Sequence, residues 1–134
     1  MWQCPNCNRS FKTTNQSHSC MVTKVEKHFK NKSENVRKIF DKLLEKVMGI
    51  GPVNVYAVKS AIFLKTSSSF LEIKVRKKFV EINFCLGREV NEFPVSKFQR
   101  LSKNRVAHTI HIDHPDEIDK QMITWLKEAY LLIN

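Results

Sequence analysis

Hydrophobic residues repeat with a helical period over residues 33–48 and predict the first main helix of this chain. The apolar positions recur at alternating spacings of three residues and one, which places them on one stripe: Val36, Ile39, Phe40, Leu43, Leu44, Val47 and Met48. Ser33 is a suitable N-cap. Gly49 and Pro52 predict the end of this helix, because glycine tolerates a left-handed C-cap and proline cannot continue a helix.

The middle of the chain has the two-residue alternation that is typical of strands with one buried face. The alternation is clearest in segments 70–76 and 79–86, where apolar residues alternate with charged or polar ones. Three further segments are rich in β-branched and aromatic residues and are also predicted as strands: 53–58, 61–65 and 105–112. Residues 87–104 are mixed and polar, contain Pro94, and are predicted to form a loop.

A second main helix is predicted to begin at Pro115, because the first position of a helix does not need an N–H donor. Its apolar stripe extends from Ile118 to Ile133. This order of elements predicts an α+β fold, in which an antiparallel sheet of four or five strands packs against two main helices.

The N-terminus carries a different signal, a set of metal ligands. Cys4 and Cys7 have the two-residue spacing that lets two thiolates reach one ion, and His18 and Cys20 follow after a polar loop. Three sulfurs and one imidazole predict a closed, structural zinc site without an open position for hydrolysis. Iron in place of zinc, and His28 in place of one ligand, are the alternatives.

These features divide the chain into three parts. Residues 1–20 are the predicted zinc knuckle, 21–33 a basic connector, and 34–134 the α+β domain. Val25 and Phe29 are spaced to anchor one short helical turn of the connector onto the domain. We find no apolar run long enough to cross a bilayer and no signal sequence, so we expect a cytoplasmic protein with reduced cysteines and no membrane partner.

Charge adds a candidate function. The formal net charge is +10, and the basic excess avoids the C-terminal segment. Such a chain attracts nucleic acid first and acidic proteins or membrane headgroups second, although solubility alone is an alternative explanation. Clustering on one surface would favour nucleic-acid binding, and the residues concerned are Arg76, Lys77, Lys78, Arg88, Lys97, Arg100, Lys103 and Arg105.

Two further sites can be formulated from the strands. Lys59 interrupts an apolar run, and it is either a strand-end lysine that reaches solvent, the more common case, or part of an anion-accepting pocket together with Tyr56 and His108, which is our hypothesis. Glu72 and Lys74 lie two apart on one strand, as in metal-dependent nucleases. Such enzymes also need an aspartate on a preceding strand, whereas the earlier Asp41 lies in the first main helix. We therefore interpret Glu72 and Lys74 as paired charges on a solvated strand face rather than as part of a nuclease site.

Several segments together resemble a largely bacterial family catalogued as domain of unknown function 5655. They are Met1-Trp2-x-Cys4-Pro5-x-Cys7, Asn15-Gln16-x-His18-Ser19-Cys20, Gly51-Pro52-Val53, Val58-Lys59-Ser60 and Trp125-Leu126-Lys127-Glu128-Ala129-Tyr130. The resemblance implies the domain boundaries and the metal site but no activity. Sequence alone therefore predicts a zinc-binding module that binds nucleic acid through a basic surface. The alternative is an adaptor that binds a protein or a small anion in a pocket between sheet and helices.

Overall fold

A computed structural model describes residues 2–3, 10–11 and 21–133, with side chains for Gln3 and for residues 24–133. Strand β1 (Trp2–Gln3) pairs antiparallel with β2 (Ser10–Phe11). In the sequence, Cys4 and Cys7 lie between these two strands. All four predicted zinc ligands, including His18 and Cys20, lie outside the described residues.

The helices lie where the apolar periodicity predicts them, but their caps and first residues differ from the prediction. Helix α1 (Met21–Lys27) forms in the connector, and Val25 and Phe29 pack against the core as predicted. Helix α2 (Glu34–Met48) confirms the first main helix. Its N-cap is Ser33, whose side chain makes no capping hydrogen bond. The predicted left-handed C-cap is wrong, because Gly49 has a right-handed φ of −71°.

Six strands form the main antiparallel sheet, in the spatial order β3-β4-β5-β6-β8-β7. Their bounds are β3 (Asn54–Ala57), β4 (Ile62–Lys65), β5 (Ser69–Val75), β6 (Val80–Leu86), β7 (Val95–Ser102) and β8 (Arg105–Ile112). The α+β class is confirmed, and the expected count of four or five strands is corrected to six.

The additional strand, β7, lies within the predicted loop 87–104. It forms the edge of the sheet beyond β8, and nearly all of its residues are exposed. A strand exposed on both faces has no need to alternate apolar and polar residues, so the signal that revealed the other strands is absent. The loop prediction was therefore wrong for residues 95–102.

The C-terminal helix begins later than predicted. Pro115–Glu117 form one 3₁₀ turn, and helix α3 (Lys120–Leu132) starts after it. Asp119 is the N-cap of α3, and its side chain accepts a 2.9 Å hydrogen bond from the backbone N–H of Met122. Within the described residues, no helix is both long and apolar enough to cross a membrane.

Helices α2 and α3 cover one face of the sheet and bury the core between them and the strands. The opposite face carries a row that crosses all six strands, and we call this side the open face because no described helix packs on it. The row consists of Tyr56, Phe63, Glu72, Asn83, Thr109 and Lys97.

The antiparallel topology places the turns at two ends of the sheet. The β3–β4 turn (58–61) and the β5–β6 turn (76–79) lie at one end, where β8 also finishes. The β4–β5 turn (66–68) and the β7–β8 turn (103–104) lie at the other. This division determines which basic residues can act together.

Candidate anion-binding site

A cavity of about 570 Å³ lies between the C-terminal end of α1 and the β3–β4 turn. The described residues that line it are Lys24, Lys27, His28, Lys32, Val58 and Lys59. Lys24 and Lys27 project from α1, Lys32 comes from the α1–α2 connection, and Lys59 comes from the turn. No carboxylate is among these lining residues, so the cavity concentrates positive charge.

His28 fixes the wall of this cavity. Its side chain is buried, and Nε2 lies 2.7 Å from the carbonyl oxygen of Val58. Because a carbonyl oxygen can only accept, Nε2 carries the hydrogen and donates it. The imidazole therefore joins the end of α1 to the β3–β4 turn. Within the described part of the chain, no group of His, Cys, Asp and Glu suited to a metal ion includes His28.

Lys32 joins the cavity to the next turn of the sheet. Its Nζ donates a 2.6 Å hydrogen bond to the carbonyl oxygen of Val75, the last residue of β5. Burial lowers the pKa of Lys32, and the neighbouring Arg76 lowers it further. A bound anion would relieve this repulsion between two cations.

The β5–β6 turn extends the basic surface. Arg76, Lys77 and Lys78 are all exposed on it, and the backbone N–H of Ser33 donates a 3.1 Å hydrogen bond to the carbonyl oxygen of Lys77. This bond holds the turn beside the connection that carries Lys32. We call the combined surface the basic end, which consists of Lys24, Lys27, Lys32, Lys59, Arg76, Lys77 and Lys78.

The other five residues of the predicted basic surface lie elsewhere. Lys97 is on β7, and the rest belong to the opposite end of the sheet: Arg88, Arg100, Lys103 and Arg105. Two of these are neutralised by carboxylates, since Arg88 lies 3.1 Å from Glu128 and Arg100 lies 3.2 Å from Glu89. The eight predicted residues thus form two separate groups.

The hypothesised trio of Tyr56, Lys59 and His108 is not brought together. Tyr56 lies on the open face, whereas His108 pairs with Phe84 on the helix-covered face and is fully buried. Nε2 of His108 accepts a 3.0 Å hydrogen bond from the backbone N–H of Val90. Lys59 is exposed and lines the cavity described above instead.

The open face has a polar network at its centre. Glu72 accepts a 3.1 Å hydrogen bond from the amide of Asn83 and lies 3.7 Å from the Lys74 ammonium. Glu81 lies 3.2 Å from Nε2 of His111. Among the residues with described side chains there is no candidate metal cluster, and Asp41 pairs with Arg37 on α2, away from this face. Glu72 and Lys74 are therefore explained as an ion pair on the exposed face of β5, without a metal site.

Comparison with known proteins assigns the family. Residues 25–133 match the family described as Domain of unknown function (DUF5655), over more than half of the chain. The chain belongs to the DUF5655 family. Neither the curated proteins nor the solved structures contain a match. The matched part of the DUF5655 domain includes most of the cavity lining and excludes the four predicted zinc ligands.

Sequence reasoning found Lys59 in this DUF5655 domain but missed its neighbours. Lys24, Lys27 and His28 lie three and four residues apart, which is the spacing of one helix face. That spacing could have placed the three side chains together. It could not show that they face Lys59, because α1 and the β3–β4 turn meet only in the folded domain.

Proposed function

We propose that this protein is a zinc-binding module that binds nucleic acid through its basic end. The observation that supports the proposal best is the cavity in which four lysines and one histidine meet without a carboxylate among the described lining residues. Phosphates of a nucleic-acid backbone are the common cellular anions that such a surface attracts, and their binding releases counterions.

Charge pairing favours the basic end over the other basic residues. Lys59, Lys77 and Lys78 have no ion pair with any described residue, whereas Arg88 and Arg100 already pair with glutamates. The open face is also unfavourable for phosphates, since Glu72 and Glu81 lie at its centre. A surface that served only solubility would have no reason to gather unpaired lysines around one cavity.

The zinc site is the second part of the proposal. Cys4, Cys7, His18 and Cys20 would supply three thiolates and one imidazole, a donor set that suits a tetrahedral structural zinc. The antiparallel pairing of Trp2–Gln3 with Ser10–Phe11, which stand on either side of Cys4 and Cys7 in the sequence, supports this part of the proposal. We place the protein in the cytoplasm, where thiols stay reduced and available to the metal.

A pair of matched charge reversals tests the proposed surface. One variant carries Lys59→Glu, Lys77→Glu and Lys78→Glu at the basic end. Its control carries Lys97→Glu, Lys103→Glu and Arg105→Glu on β7 and the opposite end, with the same change in net charge. Arg76 is left intact because it contacts Glu81 at 3.9 Å. Fluorescence anisotropy with labelled single- and double-stranded DNA and with RNA should show a strong loss of affinity for the first variant only.

The outcomes separate three explanations. Equal loss in both variants would mean that total charge, not the basic end, determines affinity. Absence of binding by the unmodified protein at low salt would refute nucleic-acid binding at the basic end. In that case the second candidate function, an adaptor for a small anion, would take precedence, because the cavity is concave and could enclose a ligand smaller than a strand.

A further inference from the structure

The basic end is short, because an acidic segment limits it on one side. Ile112 of β8 pairs with Val80, the first residue of β6, so the next residue, Asp113, lies beside the β5–β6 turn. The exposed carboxylates of Asp116, Glu117 and Asp119 follow. A nucleic-acid backbone that runs from the basic residues toward β8 therefore meets the negative charge of this acidic segment.

On its other side, the basic end reaches the edge strand β3, against which α1 packs with Lys24 and Lys27. The β3–β4 and β5–β6 turns span four adjacent strands, which is about 14 Å at three interstrand spacings. Because one strand of nucleic acid rises about 3.4 Å per nucleotide, this width accommodates about four phosphates. Among the described residues, the two turns therefore offer a short basic track rather than one that a long duplex could follow.

The charges are also unevenly divided between the cavity and the β5–β6 turn. The cavity alone gathers four lysines around one concave space, while the exposed turn adds three separate cations. A phosphodiester carries a single charge, whereas a phosphate monoester carries about 1.5 to 2 negative charges near neutral pH and has three acceptor oxygens. The lysine-lined cavity therefore matches a monoester better than a diester.

From this we infer that the cavity binds the terminal phosphate of a nucleic-acid strand, while the β5–β6 turn binds the adjoining phosphodiesters. The inference rests on the proposed function and names the part of the nucleic acid that the cavity selects. Lys32 is positioned for this role, since its ammonium uses one hydrogen on the carbonyl oxygen of Val75 and has two others to donate. Lys59 faces the same space from the β3–β4 turn.

The test compares one short oligonucleotide sequence in three forms: with a 5′-phosphate, with a 3′-phosphate, and with hydroxyls at both ends. Anisotropy titrations should give one phosphorylated form about tenfold tighter binding or more, the ratio expected for a charge-assisted hydrogen bond. Lys59→Met should abolish that preference. Lys78→Met is the control, and it should weaken all three forms by a similar factor.

Each other outcome is informative. Equal affinity for the three forms would overturn the terminal-phosphate inference and leave nucleic-acid binding intact. If none of them binds, the proposed function itself fails. A nucleoside monophosphate that competes as strongly as the phosphorylated oligonucleotide would also overturn the inference, because the cavity would then recognise a free phosphate monoester rather than the end of a strand.

Discussion

His28 and Val58 are thirty residues apart in sequence, and the Nε2–H of His28 donates a 2.7 Å hydrogen bond to the carbonyl oxygen of Val58. This contact sets the distance between α1 and the β3–β4 turn. It therefore also sets how closely the lysines of α1 approach Lys59. The buried imidazole thus links the two walls of the cavity.

Removal of this imidazole should destabilise the fold. We expect His28→Ala to lower the free energy of unfolding by about 1–3 kcal/mol, because the carbonyl of Val58 loses its partner in a partly buried position. Urea denaturation followed by circular dichroism measures the change. The surface variant Lys30→Ala should stay within about 0.5 kcal/mol of the unmodified protein. Equal stability of both variants would show that the hydrogen bond contributes nothing.

Binding to nucleic acid should depend steeply on salt. If about four phosphates of a duplex are neutralised, the logarithm of the association constant should fall against the logarithm of salt concentration with a slope of about −3.6. Substitution of Arg76, Lys77 and Lys78 by glutamate should weaken binding and flatten this slope. A slope near zero would contradict phosphate contacts at the basic end.

One tightly bound zinc per chain is expected in protein purified without added metal. Elemental analysis should find it, and Cys7→Ser combined with Cys20→Ser should remove it. Because the sheet and helices have their own core, chelation should leave the near-ultraviolet signal of the main domain largely unchanged. Iron in place of zinc, or a metal content that the double variant retains, would refute the assignment.

His108 should make the domain sensitive to acid. Its burial lowers its pKa from the ordinary value of 6.5, so the folded protein resists protonation there. The unfolded chain binds this proton more readily, and stability contributed by neutral His108 is therefore complete above about pH 6.5 and declines as the pH falls below it.

Urea midpoints measured at about pH 7.5 and about pH 5.5 test this sign. His108→Gln removes the titrating ring and keeps an acceptor for the N–H of Val90, so its stability should fall less over the same interval. An identical fall in the variant and the unmodified protein would assign the acid sensitivity to other groups.

Gly51 should not tolerate a side chain. A Cβ at this position would lie 2.5 Å from the hydroxyl oxygen of Tyr130, whose O–H donates a hydrogen bond to the carbonyl of Pro52. Gly51→Ala should therefore cost about 1–3 kcal/mol of stability, as overpacking usually does. Gly49→Ala is the matched control, because Gly49 has a right-handed φ and its nearest atom would lie 3.3 Å away. Equal melting temperatures for both variants would contradict the predicted clash.

Alternation and helical periodicity predicted the elements that bury one face. They succeeded for α2 and for β5 and β6, where burial of one face imposes a regular pattern, while β8 was predicted from its β-branched content. They failed for β7, because its exposed residues do not alternate between apolar and polar. Its strand conformation comes from backbone hydrogen bonds to β8. Alternation also predicts that His108 is buried, because it lies two residues from the buried Val106 and Ile110 and therefore on the same face of β8.

The candidate site was only partly accessible to sequence reasoning. Lys59 drew attention because a cation interrupts an apolar run. Its partners could not be identified, since Lys24 and Lys32 come from segments whose meeting depends on tertiary contacts such as those of His28 with Val58. The separation of the basic residues into two groups also depends on strand order, which local periodicity does not encode.

The two borders of the main sheet have a consequence for the behaviour of this protein at high concentration. Helix α1 packs against β3 at one border, while β7 at the other has irregular register near both of its ends and presents Lys97 and Arg100. Bulges, charged side chains and covering helices are the devices that stop a sheet from recruiting further chains. Concentrated solutions should therefore resist fibre formation, and crowding in an overexpressing cell should not convert this chain into amyloid.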